Sequence, residues 1–151
     1  MGYQTVKMNR SCARYIKPET TSVKGSVRAR LLFEYMRDLV EHKKWYADPE
    51  FSIHRLIEYL GCTELFWSNA VRMGTGGKTF RQYLLDLRLA RAAKLLRNRE
   101  QMPVNEVGLA SGFRSRASFF RQFKENLGCS PNEYRKLNQK EKAERNSSKV
   151  K

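Results

Sequence analysis

Residues 104–136 read VNEVGLASGFRSRASFFRQFKENLGCSPNEYRK and hold two helical patterns separated by a glycine turn. Val104, Val107 and Ala110 recur at three-residue spacing, which gives the first pattern one apolar face. Gly112 stops it where a left-handed backbone is wanted. Ser115 caps the next helix, whose apolar face is Phe119, Phe123 and Leu127 at four-residue spacing. Arg116, Arg121 and Lys124 fall on the opposite side. A short helix, a glycine turn and a basic second helix make a helix-turn-helix, a geometry that offers its second helix to the DNA major groove.

Working outward, the same pattern recurs upstream. Ser52 caps a short helix holding Ile53, Leu56, Ile57 and Leu60, and Gly61 ends it in the role of Gly112. Thr63 caps the following helix, with Trp67, Ala70 and Val71 inward. From cap to cap, Thr63 to Ser115, the repeat is roughly 52 residues. A linker helix runs between the motifs from about Thr79 to Arg97. At 1.5 Å per residue it is roughly 28 Å long, close to the ~34 Å advance of one DNA turn, so two motifs on this spacer can enter successive major grooves. Pro103 suits the first turn of the helix that follows. Ahead of the repeat, Val27, Leu31, Tyr35 and Leu39 lie close to one stripe with Leu32 and Met36 beside it. That helix starts at Ser26 and ends near Trp45, before Asp48-Pro49.

The expected fold is therefore all-α: two helix-turn-helix subdomains joined by a long linker helix, about seven helices in all. The expected division is a flexible arm or linker over 1–25, a leading helix and connection over 26–50 and the first motif over 51–77. The linker helix takes 78–99, the second motif 100–137 and a disordered basic tail 138–151. The arm is either a linker to another domain, which we prefer, or a basic arm touching phosphate.

The ordered run Gly112-Phe113, Ser115, Phe119, Arg121, Phe123-Lys124, Gly128, Ser130-Pro131 and Glu133-Tyr134-Arg135 closely resembles the C-terminal signature of the AraC/XylS family of bacterial transcription regulators. Upstream, Phe80, Tyr83-Leu84, Arg88-Leu89, Ala92 and Leu95-Leu96 are similar to that family's linker helix. The resemblance reaches back to about residue 50 and covers roughly 90 of the 151 residues. It implies double-stranded DNA as partner, RNA polymerase as a second partner, an activator more than a repressor, and a sensor domain ahead of the DNA-binding half. It also implies a structural ion pair for Arg88. The chain departs from the family at Asn69, where arginine is commoner, and at Val71, where phenylalanine is. It also has one residue more than usual around Gly74-Thr75-Gly76-Gly77.

In the second motif the face left after burying Phe119 and Phe123 holds Arg116, Ala117, Phe120, Arg121 and Lys124. Arginine can bind guanine O6 and N7 through two parallel hydrogen bonds, which makes Arg116 the candidate base reader. Ala117 and Phe120 can lie against thymine methyls. Arg121 and Lys124 reach base or phosphate, and Ser115 offers its hydroxyl and the helix's first amides to phosphate. In the first motif Thr63 stands at the helix start, and the corresponding face holds Glu64, Leu65, Ser68, Asn69 and Arg72. Asn69 can pair with adenine and Leu65 can touch a methyl group, whereas Glu64 opposes phosphate unless it accepts from a cytosine N4. The departures point to a positioning role for this motif, with Arg72, Lys78 and Arg81 supplying charge. Trp45 and Trp67 read as packing residues, and His42 and His54 as surface residues.

Thirty Lys and Arg against fifteen Asp and Glu give a net charge of +15, which favours a polyanionic partner. Cys12, Cys62 and Cys129 are far apart, and with two histidines they form no zinc spacing, so no metal or cofactor is expected. Sparse, odd cysteines fit reduced thiols in the cytoplasm. Cys62 and Cys129 each precede a hydroxyl cap and read as small packing residues. No apolar run reaches the ~20 residues that span a membrane. Two histidines, no Walker loop and no nucleophile grouping argue against an enzyme. Two alternatives to a sequence-specific regulator stand beside it: the output domain of a larger, possibly membrane-bound sensor, and a non-specific basic nucleic-acid binder. A monomer reading a ~20 bp asymmetric site is the default for two linked motifs.

Overall fold

Seven α-helices and no strand make up the described residues of the computed structural model, 23–61 and 63–149. Most of the expected arm, Cys12, Cys62 and the last two residues lie outside them. The helices are α1 (Val23–His42), α2 (Ile53–Leu60), α3 (Glu64–Thr75), α4 (Phe80–Asn98), α5 (Val104–Ala110), α6 (Arg116–Leu127) and α7 (Pro131–Lys149). The described residues form two compact units: those up to Trp45 with those of Phe51–Leu85, and Tyr46–Glu50 with those from Asp86. α4 is one helix that contributes its first turns to the first unit and the rest to the second.

In the first unit α1 opens at Val23, earlier than Ser26, so the three residues 23–25 belong to a helix rather than to the arm. Its buried side also differs from the expected stripe. Leu32, Phe33, Met36 and Val40 are buried, whereas Val27, Leu31 and Tyr35 are 55%, 58% and 43% exposed. The cause lies on α3: Gly74 has no side chain, and a Cβ there would overlap the Phe33 ring. The Phe33 ring fills that space and meets Tyr83 edge-on at 5.7 Å, which fixes the rotation of α1. Tyr83 is buried and its hydroxyl donates to Glu41 Oε1 at 3.2 Å. Burial, then the Glu41 charge and that hydrogen bond, push its phenol above the ordinary tyrosine range.

α1 stops at His42 rather than Trp45, because Lys44 turns the backbone to φ 54 and Trp45–Ala47 form a 3-10 turn. Trp45 is buried, as expected, with Phe51 at 5.4 Å and Tyr59 at 4.8 Å. Ser52 sits at the start of α2 in extended backbone, but its side chain makes no capping bond. A reciprocal capping box opens α4: Thr79 N donates to Gln82 Oε1 at 2.9 Å, and Gln82 N to Thr79 Oγ1 at 3.2 Å.

In the second unit half-buried Arg88 holds backbone carbonyls, where the family resemblance implied an ion pair. Its guanidinium donates to Tyr46 O at 2.8 Å and Asp48 O at 3.0 Å. Burial foremost, and nearby Arg114, lower its pKa, while Asp48 opposes them. Gly112, at φ 93, lies so close to this segment that a Cβ would collide with Tyr46 O. Arg114 holds the same segment from the other end, donating to Pro49 O and Glu50 Oε2, each at 3.1 Å.

α7 corrects the expected tail: residues 138–149 continue the helix instead of being disordered. The stretch lacks an apolar face, and its support is polar. Ser130 and Glu133 form a capping box, with Ser130 N donating to Glu133 Oε2 at 2.7 Å and Glu133 N to Ser130 Oγ at 3.3 Å. Those bonds hold the Glu133 carboxyl below the usual range. Farther along, Lys142 Nζ donates to Arg97 O at 2.6 Å, where α4 ends, and to Glu100 Oε1 at 2.9 Å.

Candidate DNA interface

The second motif is built around Phe119, which has no exposed surface. Its ring lies against Gly108 of α5, where a Cβ would come within 2.7 Å of Phe119 Cδ1. Phe113 and Phe123 complete the cluster at 5.0 and 5.6 Å, and Tyr134 of α7 closes it, 5.4 Å from Phe123. Arg91 donates to Ala110 O at 2.8 Å and ties the end of α5 to α4. Ser115 caps α6 as expected, accepting from Ser118 N at 3.2 Å. The first amides of α6, which no helix satisfies internally, remain as donors at its start. Leu127 departs from the expected apolar face: it lies in the last turn of α6 and is 42% exposed.

With Phe119 and Phe123 inward, Arg116, Ala117, Arg121 and Lys124 are all exposed on α6, and Ser115 stands at its start. The sequence-predicted set is thus brought together on one helix, with one change of character. Phe120 is half-buried, with the Phe119 ring 5.6 Å away at 83° and the Arg116 guanidinium 5.1 Å from its centroid. One ring face is therefore occupied by Arg116 and is not open to a thymine methyl.

The first motif repeats this construction. α3 and α6 are each 12 residues long. Thr63 accepts from Phe66 N at 3.3 Å, as Ser115 does from Ser118. Gly76 and Gly128 close the two helices at φ 73 and φ 77, in the left-handed region. Trp67 and Val71 are buried where the second motif buries Phe119 and Phe123, and Trp67 Nε1 donates to Gly61 O at 2.9 Å. Glu64, Leu65, Asn69 and Arg72 are exposed, Ser68 is half-buried, and Lys78 and Arg81 are exposed beyond the helix end. The electrostatics differ: α3 carries one acid and one base on its twelve residues, and α6 three bases against one acid.

Sequence reasoning missed the residues that hold this face in place: Gly108, Arg91 and Arg114. Only Gly108 left a signal, a glycine inside a helical pattern, which marks a close approach. Among the described residues no cluster of His, Cys, Asp and Glu can hold a metal, and no helix is long and apolar enough to cross a membrane.

A family model described as a helix-turn-helix domain, of the AraC type, matches residues 55–137, over half of the chain. The chain belongs to the AraC-type helix-turn-helix family. As an AraC-type domain it is a DNA-binding domain of a transcription regulator. Among solved structures it is similar to the C-terminal domain of the two-component response regulator yesN from Fusobacterium nucleatum subsp. nucleatum ATCC 25586. That likeness has 26% identity and a TM-score of 0.61, over 68% of this chain and 95% of that one. The C-terminal domain of AraT, a response regulator from Geobacillus stearothermophilus, shares the fold at 24% identity and a TM-score of 0.59, over 74% and 84% of the two chains. A protein of unknown function from Listeria innocua does so at 24% identity and a TM-score of 0.59, over 70% and 95%. No curated protein matches this AraC-type chain.

Proposed function

We propose that this chain is a sequence-specific transcription regulator, acting in the cytoplasm as an activator that engages RNA polymerase once bound. Its two recognition helices, α3 and α6, enter successive major grooves of double-stranded DNA. The observation that carries the reading is the face of α6, where Arg116, Ala117, Arg121 and Lys124 stand exposed on a helix whose other side is buried core. Arg116 reads a guanine edge through its two-pronged donor set, Ala117 packs on a methyl group, and Arg121 and Lys124 bind base or phosphate. Ser115 and the first amides of α6 meet a phosphate. α3 chiefly positions the protein: Thr63, Ser68, Asn69 and Arg72 touch DNA, Leu65 touches a methyl group, Glu64 accepts from a cytosine amine, and Lys78 and Arg81 supply charge. In this reading the motifs occupy 51–77 and 100–137, with 78–99 as the spacer.

Selection of bound duplexes from a randomised pool tests this, followed by titration of the winner and a scrambled control at two salt concentrations. The expected result is two short conserved blocks about one helical turn apart, preferred roughly a thousandfold or more over the control. Arg116→Ala costs roughly 1–3 kcal/mol at one base position, whereas Lys124→Ala weakens all sequences alike and flattens the salt slope. A pool that yields no consensus, with every duplex lost alike as salt rises, overturns the reading in favour of a binder held by charge alone.

A second reading extends the first. The two named neighbours are C-terminal domains of response regulators, which favours this chain as the output end of a larger signalling protein. The mass of the protein made in its native cell, read by immunoblot, tests it: a species well above 17.7 kDa supports the larger protein.

A further inference from the structure

We infer that Phe120 is a positioning residue for sequence readout, a ring that holds the Arg116 guanidinium in its base-reading pose before DNA arrives. The inference rests on the proposed role of Arg116. Arg116 and Phe120 are four residues apart on α6 and so share one face. Helical side chains lean toward the N-terminus, which carries the Phe120 ring back beneath the first turn, where Arg116 stands. The guanidinium carbon lies 5.1 Å from the ring centroid, within the range of cation–π attraction.

The ring is itself held from behind. Phe119, with no exposed surface, meets Phe120 at 83° and 5.6 Å, the edge-to-face geometry that aromatic pairs prefer. Rigidity thus passes from core to tip: a locked Phe119, a half-buried Phe120, an exposed Arg116. A free arginine loses considerable rotamer freedom when it forms a bidentate contact, and an arginine already stacked loses less. The guanidinium edges stay available, because stacking uses its face and guanine O6 and N7 are met in its plane. The first motif has no such device. One motif repeat upstream, counted from Thr63 as from Ser115, the matching positions are Glu64 and Ser68, which supply neither a ring nor a guanidinium. Base discrimination therefore concentrates at α6.

The test is a double-mutant cycle on the selected duplex and on its single-base variants, using Arg116→Ala, Phe120→Leu and the double variant. Phe120→Leu keeps an apolar side chain on the half-buried site and removes the ring face. It is expected to cut discrimination at the base pair that Arg116 reads by roughly two- to fivefold, the worth of an exposed cation–π contact. Other positions and the salt slope stay unchanged, the double variant loses no more than Arg116→Ala alone, and Phe120→Tyr restores the parental value. Loss at a different base pair, or additive losses in the double variant, means that the ring touches DNA itself and overturns the positioning role. In the free full-length chain, upfield ring-current shifts of the Arg116 Cδ protons read the stack without any substitution. Their absence also overturns it, even if Phe120→Leu fails to fold. If Arg116→Ala keeps full discrimination, the base-reading assignment fails; if only Phe120→Leu does, the positioning role alone fails.

Discussion

Gly108→Ala sets two quantities of known size against each other. Alanine inside a helix is favoured over glycine by about 1 kcal/mol, so on an open helix face the change would stabilise. Here the new Cβ would lie 2.7 Å from Phe119 Cδ1, 2.9 Å from Cγ and 3.2 Å from Cβ. Those atoms are the stem of a fully buried ring, not the far end of a mobile side chain. Overpacking of this kind costs about 1–3 kcal/mol, and the closeness of the contacts puts the site in the upper half of that range. The expected net loss is about 1–2 kcal/mol, or a Tm lower by roughly 2–8 °C for a chain of this length. Thermal melts followed by circular dichroism read it, with Phe119→Leu as a suppressor. In the Phe119→Leu background the added methyl group should cost nothing or help, giving a coupling of opposite sign. A Gly108→Ala protein that melts at or above the parent, or strictly additive losses, would refute the close approach of α5 and α6.

Three further outcomes follow from contacts described above. The phenol of Tyr83 is raised in the folded protein, so below about pH 10 both states keep its proton and it adds no pH dependence; above that pH the unfolded state alone loses it, and stability should fall by about 1.4 kcal/mol per pH unit from this group. Urea unfolding at pH 9 and pH 11 should show a shallower loss in Tyr83→Phe than in the parent. Thr63→Ala and Ser115→Ala should each cost about 1 kcal/mol, with faster amide exchange at Phe66 and Ser118 respectively, because both caps make the same bond. Ending the chain after Gln139 should remove helical signal in the far ultraviolet yet change stability by only about 0–1 kcal/mol, since the Lys142–Glu100 pair it deletes is nearly half exposed on each side.

The second motif was the more legible part of the fold, because its signals are local. A stopping glycine, a hydroxyl cap and a four-residue apolar spacing each act within a turn or two of helix, and Gly112, Ser115, Phe119 and Phe123 did what those rules require. The same holds for Gly61, Thr63, Trp67 and Val71. α1 was misread by one step around the helix. Leu31, Leu32 and Phe33 are consecutive, so the sequence allows two adjacent apolar stripes, and the choice depends on Gly74, some forty residues away. α7 was cut short for the opposite reason: apolar periodicity cannot see a helix supported by a capping box and a lysine seated on Arg97 O. For the candidate site, sequence placed the residues on their face but could not show that Arg116 covers Phe120, because rotamers are set by neighbours rather than by spacing.

The matched dimensions of α3 and α6 separate what the protein must keep from what it can change. Both are twelve-residue rods that begin on one hydroxyl-to-amide bond and end on one left-handed glycine. At exposed positions Glu64, Leu65 and Asn69 stand where α6 has Arg116, Ala117 and Arg121, and substitutions there leave the core untouched. On the proposed function, a gene encoding such a chain can revise one half of its operator preference while the other half still anchors it to the old sites. Retargeting can then proceed by small steps, each with a folded and partly competent protein, instead of requiring the whole recognition surface to change at once.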